Sequence, residues 1–273
     1  MDLHTVGNAL KINPLLCAPS PRDIRAVYEE LRDTGYDRLY AKYYPEKTAY
    51  NLMRDYFIDH EEYTHLVICP DDLIIKKEHI DRLIFDLELN DYPVLSGVCN
   101  VDAAANKDAL NVTYNLPHPT RTVPERGIIG WRHYHWVHKD TEFPAKILPF
   151  LFSGFACMFL RRDVVKRYKF ADDAKQNGTP TMITGAIDVM FANVCAIEKI
   201  PQMVDTDVRM EHLKGKERFF DITLGDGELR LYHANKDTYE LESHEAKGKR
   251  RVWSMTKGDE IVQGIVDEDE NSK

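Results

Sequence analysis

No apolar run in the sequence is long enough to cross a bilayer. The longest, near Phe150 to Leu160, is broken by Ser153 and Gly154, and Met1 to Lys11 carries no long apolar stretch. The expectation is a chain with neither secretion signal nor transmembrane anchor. Cysteine is scarce: Cys17, Cys69, Cys99, Cys157 and Cys195 are odd in number, far apart and without a Cys-x-x-Cys pair. A disulfide framework is thereby excluded, and the residues read as buried, reduced thiols of a cytoplasmic protein, at most peripheral to a membrane. An excess of basic charge is missing as well. With 36 Lys and Arg against 45 Asp and Glu, the net charge is −9, which argues against a general nucleic-acid binder and leaves room for a small anionic ligand held by a few local groups. Internal repeats are absent too.

What is present describes a soluble globular protein. Its 273 residues suit one large domain or two small ones, and 43% apolar with 30% charged residues excludes disordered, collagenous and coiled-coil material. Ile12 to Ala18 reads as a strand. After it, Ser20, Pro21 and Asp23 place an N-cap, a first-turn proline and a first-turn acid before the helical spacing of Ile24, Val27, Tyr28 and Leu31, which ends at Gly35. Arg38 to Tyr44 reads as a strand, Thr48 to Ile58 as a helix, Thr64 to Cys69 as a strand, Lys77 to Glu88 as a helix and Val94 to Cys99 as a strand. Such alternation predicts an α/β fold with a mostly parallel central sheet flanked by helices. From Asp102 to Lys146 the pattern lapses into a polar, proline-dotted excursion with a short strand around Trp131 to His138. Strand character returns over Leu148 to Leu160, followed by helices at Arg162 to Tyr168 and Ile187 to Ile197. Val204 to His212 then alternates, with Val204, Thr206, Val208, Met210 and His212 on one face and Asp205, Asp207, Arg209 and Glu211 on the other. A hairpin signal at Gly225-Asp226-Gly227, a basic cluster at Lys247, Lys249, Arg250 and Arg251, and an acidic, disorder-prone tail from Asp267 to Glu270 complete the chain.

The segment richest in chemistry is Leu66-Val67-Ile68-Cys69-Pro70-Asp71-Asp72-Leu73, two adjacent carboxylates directly after a buried strand. Ligands of open α/β sheets bind beyond the carboxyl ends of strands, where two acids can hold Mg²⁺ or Mn²⁺ against a diphosphate. The plainer alternative is that Asp71 and Asp72 cap the next turn. Asp188 opens a helix and suits either a general base or a first-turn acid complementing the helix dipole. His212 ends the alternating strand on its apolar side, as a core histidine or as a metal ligand beside carboxylates. His133, His135 and His138 offer a rival metal site only on a bent loop; on a strand the first two share a face and the third points away. The surrounding Trp131 and Trp136 suit sugar stacking. Gly154 allows close backbone approach beside Ser153, or marks a bend. A solvated surface run is the simplest account of the basic cluster.

The order of these segments resembles a GT-A fold glycosyltransferase similar to glycosyltransferase family 2. It is carried by Cys69-Pro70-Asp71-Asp72-Leu73, then Phe152-Ser153-Gly154-Phe155-Ala156-Cys157, then Gly185-Ala186-Ile187-Asp188, then Val204 to His212. The resemblance spans about Pro14 to Leu213. It implies a GT-A-like, Rossmann-like domain over 1–213 with a C-terminal appendage over 214–273. It implies transfer of a sugar from a UDP- or GDP-sugar donor to a hydroxyl of a glycan, lipid or protein acceptor, with inversion and with Mn²⁺ or Mg²⁺. Under it Asp188 is the catalytic base, and Asp71, Asp72 and His212 hold the metal. Pro19, Ser20, Lys42, Tyr43, Asp71, Asp72, Ser153 and Gly154 bind the donor, and Trp131 and Trp136 face the acceptor. Two positions depart from the family's pattern: Pro70 stands where the first acid of Asp-x-Asp is usual, and Ile187 precedes Asp188 where a Glu-Asp pair is commoner. Two other readings compete with this one. A sugar nucleotidyltransferase would want a glycine-rich phosphate loop where the chain has Ala18-Pro19-Ser20-Pro21. A non-catalytic domain that binds glycan or nucleotide is compatible with Pro70.

Overall fold

The computed structural model describes residues 11–20, 24–42, 44, 46–101, 108–115, 118–123, 128–132, 135–170, 174–176, 179–181, 187–213, 222–223, 227–234, 238–244, 250–257 and 260–267. The chain opens with strand β1 (Pro14–Ser20), helix α1 (Arg25–Asp33), strand β2 (Arg38–Lys42), helix α2 (Glu46–Asp59) and strand β3 (His65–Ile68). The short strand β4 (Leu73–Ile74), helix α3 (Lys77–Asn90) and strand β5 (Val94–Cys99) follow. Helix α1 starts later than the sequence signals propose: Ile24 occupies the N-cap with no side-chain hydrogen bond, and Ser20 closes β1 instead of capping. Its other end is as expected, with Gly35 at φ +72°, a left-handed turn that costs glycine little.

Strand side chains alternate between the two faces of the sheet, and both faces are covered, so the strands read as unbroken apolar runs. Leu15, Cys17, Leu39, Ala41, Leu66 and Ile68 face α2, whose Ala49, Tyr50, Met53 and Phe57 close one core. Leu16, Ala18, Tyr40, Val67 and Cys69 face α1 and α3, which bury Val27, Leu31, Ile80, Leu83 and Leu87 in the other. Each Val, Leu, Ile, Phe or Met among them contributes about 1.5–3 kcal/mol relative to exposure. Among the described residues all five cysteines are free and buried, as their apolar settings lead one to expect.

Beyond β5 the chain is richer in strands than its polarity indicates. The excursion holds β6 (Ala109–Thr113), β7 (His118–Val123), β8 (Ile128–Arg132) and β9 (Trp136–His138). The apolar stretch after it divides into β10 (Ile147–Phe150), β11 (Phe152–Ser153) and β12 (Met158–Arg161). Helix α4 (Arg162–Arg167), strands β13 (Ala174–Gln176) and β14 (Thr179–Thr181), helix α5 (Ile187–Ile197) and strand β15 (Gln202–His212) come next. The last strands are β16 (Ile222–Thr223), β17 (Gly227–Tyr232), β18 (Thr238–His244), β19 (Arg250–Lys257) and β20 (Glu260–Asp267). Residues 225 and 226 of the hairpin signal lie outside the described residues; β17 itself pairs with β18 and β2.

The central sheet runs β10-β15-β5-β12-β3-β1-β2-β17-β18, with β4 on β15. This corrects the mostly parallel Rossmann-like sheet that the βα alternation predicts. Only β1/β2, β1/β3 and β5/β15 are parallel. The pairings β10/β15, β12/β3, β12/β5, β15/β4, β17/β18 and β17/β2 are antiparallel, so the sheet is mixed. The cause lies in the connections. Parallel pairing needs a long crossover, which α1 and α2 supply between the first three strands, whereas β12 enters between β3 and β5 from the opposite end. Among the described residues no helix is long and apolar enough to cross a membrane.

Candidate functional site

The site grows from the end of β3. The Cys69 N–H donates to the Cys17 carbonyl at 2.9 Å, carrying the ladder with β1 one residue past the strand. Pro70 has no N–H to continue it, and the Leu73 N–H reaches back to the Pro70 carbonyl at 3.4 Å. Asp71 and Asp72 therefore sit in a turn at the sheet's end, and both are buried. Strand β15 seals that turn: His212 pairs with Leu73, and the Leu213 N–H donates to the Asp72 carbonyl at 2.8 Å.

This pairing sets His212 Nε2 3.0 Å from Asp72 Oδ2, while Nδ1 stands 2.8 Å from the Asn100 carbonyl. Carbonyl and carboxylate are both acceptors, so the ring satisfies the two contacts as hydrogen bonds only with a proton on each nitrogen. In the tautomer with its proton at Nδ1 on the Asn100 carbonyl, Nε2 and Asp72 would present two donors to a cation, in the manner of a metal-binding histidine whose other nitrogen is fixed by a carbonyl; in the other tautomer Nε2 donates to Asp72.

Asp188 comes from a third direction, as the second residue of α5, with Oδ1 accepting the Val189 N–H at 2.8 Å. Gly154 comes from a fourth. Its N–H donates to the Asn111 carbonyl at 2.9 Å, the Asn111 Nδ2 donates to the Gly154 carbonyl at 3.2 Å, and Asn111 Oδ1 accepts the Cys99 N–H at 2.9 Å. A Cβ at Gly154 would stand 3.1 Å from Asn111 Nδ2, so glycine permits this close clasp. Asp72, Asp188, His212, Gly154 and Trp136 all line one cleft of about 180 Å³. Its apolar wall includes Phe155, and Phe152 edge-on to Trp136 at 6.0 Å between ring centroids. The Tyr50 phenol registers the same gathering of acids: it is held well above its ordinary value, first by burial and then by the negative charges of Glu46, Asp71, Asp188 and Asp72.

The other proposed site residues lie elsewhere. Asp71 adjoins the cleft without lining it, and Ser153 is turned inward, its Oγ 2.9 Å from Ser96 Oγ. Pro19, Ser20 and Lys42 are at the ends of β1 and β2, with Lys42 Nζ 4.7 Å from the centre of the Tyr28 ring. Trp131 belongs to β8, in a different sheet from Trp136, so the expected single strand from Trp131 to His138 is two strands. Tyr43, His133, Lys247 and Lys249 lie outside the described residues, as does most of the acidic tail, while Arg250 and Arg251 are in β19. His135 and His138 are exposed. Sequence reasoning missed Asn111, whose signal is a lone amide in the apolar run of β6, and Asn100, which acts through its backbone carbonyl and leaves no side-chain signal. Among the described residues no group of three or more His, Cys, Asp and Glu side chains stands close enough to hold a metal ion.

No protein-family model matches the chain, and no curated protein matches it. Among solved structures, one described as "Crystal Structure of A197 from STIV" matches over 86% of this chain and 97% of its own, with 13% identity and a TM-score of 0.48. At that distance the likeness is one of broad shape and assigns no activity.

Proposed function

We propose that this protein transfers a sugar from a nucleotide-sugar donor to an acceptor hydroxyl, with inversion, in the cleft between β15 and α5. The observation that carries the reading is that one cleft gathers Asp72, His212 and Asp188 from three separate segments. Asp72 and His212 would hold Mn²⁺ or Mg²⁺, with Asp71 behind them and donor oxygens or water completing the shell; the ion would neutralise the departing nucleoside diphosphate. The Asp188 carboxylate would take the proton of the attacking hydroxyl. Gly154 would let the donor approach the backbone, and the wall of Trp136 and Phe155 would pack against a sugar face. The nucleotide would extend toward Pro19, Ser20 and Lys42, and Trp131 would lie on the acceptor side.

The test is to mix the protein with UDP-sugars and GDP-sugars, with and without Mn²⁺, and to measure both thermal shift and free nucleoside diphosphate. Metal-dependent stabilisation followed by diphosphate release is expected. Stabilisation without release under any donor and acceptor would favour a binding domain. Absence of both would remove the glycosyl-transfer reading.

A further inference from the structure

Strands β3 and β12, which lead into the cleft-lining segments at Asp72 and Gly154, each carry a cysteine at the end nearest that cleft. In the antiparallel ladder between β3 and β12 the last registered pair is Met158 with Ile68, and the next residue on each side is Cys157 and Cys69. The Cys69 N–H is spent on the other neighbour, β1, where it donates to Cys17. At Cys69 the ladder bonds therefore point away from β12, so a Cys69/Cys157 pair that continues the register is of the non-hydrogen-bonded kind. Facing Cα atoms at such a site approach to about 4.5 Å, with side chains closest. A disulfide needs Cα atoms about 4.4–6.8 Å apart. The two side chains share one apolar cluster and are fully buried. Cys157 also has φ +48°, a left-handed backbone that is uncommon for a residue with a Cβ. It marks the point where the chain leaves the cleft wall at Gly154 and enters β12.

We infer that Cys69 and Cys157 form a redox-closable pair, which a peroxide converts into a cross-strand disulfide pinning the Asp71–Asp72 turn to the Gly154 segment. In the first step one thiol attacks the peroxide, forming a sulfenic acid and releasing water as the O–O bond breaks. In the second, the other thiol attacks that sulfur, the S–S bond forms, and a second water leaves. Two thiols lose two electrons and two protons, and one peroxide is reduced to two waters. The other cysteines are placed differently. Cys17 lies in the apolar cluster on the sheet's other face, Cys195 is in α5, and Cys99 ends β5. The inference stands on strand register and is independent of the sugar-transfer reading.

The experiment uses the full chain. The folded protein is treated with limiting hydrogen peroxide, quenched with catalase, unfolded in guanidinium with excess N-ethylmaleimide, and mapped by mass spectrometry. The expected product is a Cys69–Cys157 cross-linked peptide two hydrogens lighter than the sum of its parts, with Cys17, Cys99 and Cys195 alkylated. The oxidised protein should melt at least about 5 °C higher than the same sample after dithiothreitol, because the bond closes a long loop. In Cys69→Ala and in Cys157→Ala that oxidised-minus-reduced difference should vanish whatever each variant's own stability. Five alkylated thiols, a sulfinic acid without a cross-link, or a cross-link between any other pair in the parent protein would overturn the inference.

Discussion

Strand β15 has a pair of carboxylates at each end, and the two pairs have opposite fates. At its end beside β4, Asp71 and Asp72 are buried in a turn, yet Asp72 lines a cleft and meets His212, whose other nitrogen is fixed by a backbone carbonyl. Seven residues earlier, Asp205 is fully buried and shares an arginine with Asp86 of α3. Arg82 Nε reaches both carboxylates, at 3.1 Å to Asp205 and 3.2 Å to Asp86. The ladder with β5 slips between Val204 and Arg209, and Asp205 Oδ1 accepts the Asp207 N–H at 2.9 Å within that bulge. Its acid is accounted for by the backbone group that the bulge exposes and by one arginine. Burial of carboxylates is therefore common to both sites and decides nothing. What separates them is that one of the first pair, Asp72, lines a cleft beside His212, while the other pair meets an arginine and a backbone donor away from it.

If the cleft pair works in chemistry, the largest effects belong to that end of the strand. Asp188→Asn should retain metal-dependent stabilisation by a nucleotide sugar and lose transfer by about 10²–10⁴-fold, since an amide accepts no proton at neutral pH. Asp72→Asn should lose both. Transfer at the parent rate in Asp188→Asn would place the base elsewhere, and unfolding of that variant would favour a purely helix-opening acid. Next in size is His212→Ala, which should weaken Mn²⁺ affinity by at least about tenfold while a His133/His135 double alanine leaves it unchanged. Isothermal titration with Mn²⁺ in the presence of donor reads both, and the reverse pattern would move the metal to the His133–His138 region.

The sequence exposed one end of this comparison and hid the other. The alternation from Thr206 to His212 is real: Val208 and Met210 are buried, Asp207, Arg209 and Glu211 exposed. Hence His212 was placed on the face that meets Asp72. Asp205 breaks the same pattern, because a bulge shifts the period by an amount that residue types do not encode. Helix α3 shows the same limit. Ile80, Leu83 and Leu87 mark its inner face, and Asp86 lies on that face too, invisible until its partner from β15 is in place. The helices and longer strands through Val94–Cys99 are legible because each is a local pattern, apart from the late start of α1 and the two-residue β4. The mixed pairing is not, since β12's position between β3 and β5 follows from a long excursion whose polar composition signals one short strand where four stand.

The closed pair can be broken at its cation. Arg82→Ala leaves two buried carboxylates facing each other, and should destabilise the fold at pH 7.5 by about 1–2 kcal/mol, a fall in Tm of about 3–6 °C. The loss should be smaller at pH 5, where the pair can hold a proton between them. Transfer activity should be unchanged when assayed well below the new Tm, because Arg82 does not line the cleft. A loss of activity without a loss of stability would mean that the two ends of β15 are not separable.

The smallest effect, and the sharpest test of the closed pair, is Asp86→Asn. Burial, then the hydrogen bond and charge of Asp205, push the Asp86 carboxyl up from 3.8 to about 6, with Arg82 opposing. An acid whose value is raised by folding binds more protons folded than unfolded throughout that interval. Its contribution to stability is therefore fullest below about pH 4, declines as pH rises to about 6, and is flat above. Asparagine cannot ionise but can still donate to Asp205, as the protonated acid does. The variant should match the parent near pH 4 and melt about 1–3 °C higher above pH 6.5, where the parent carries the cost of a second buried charge. Thermal melts across pH 4 to 8 measure this, and a difference that stays constant over the range would show that Asp86 is charged throughout and that the pair shares no proton.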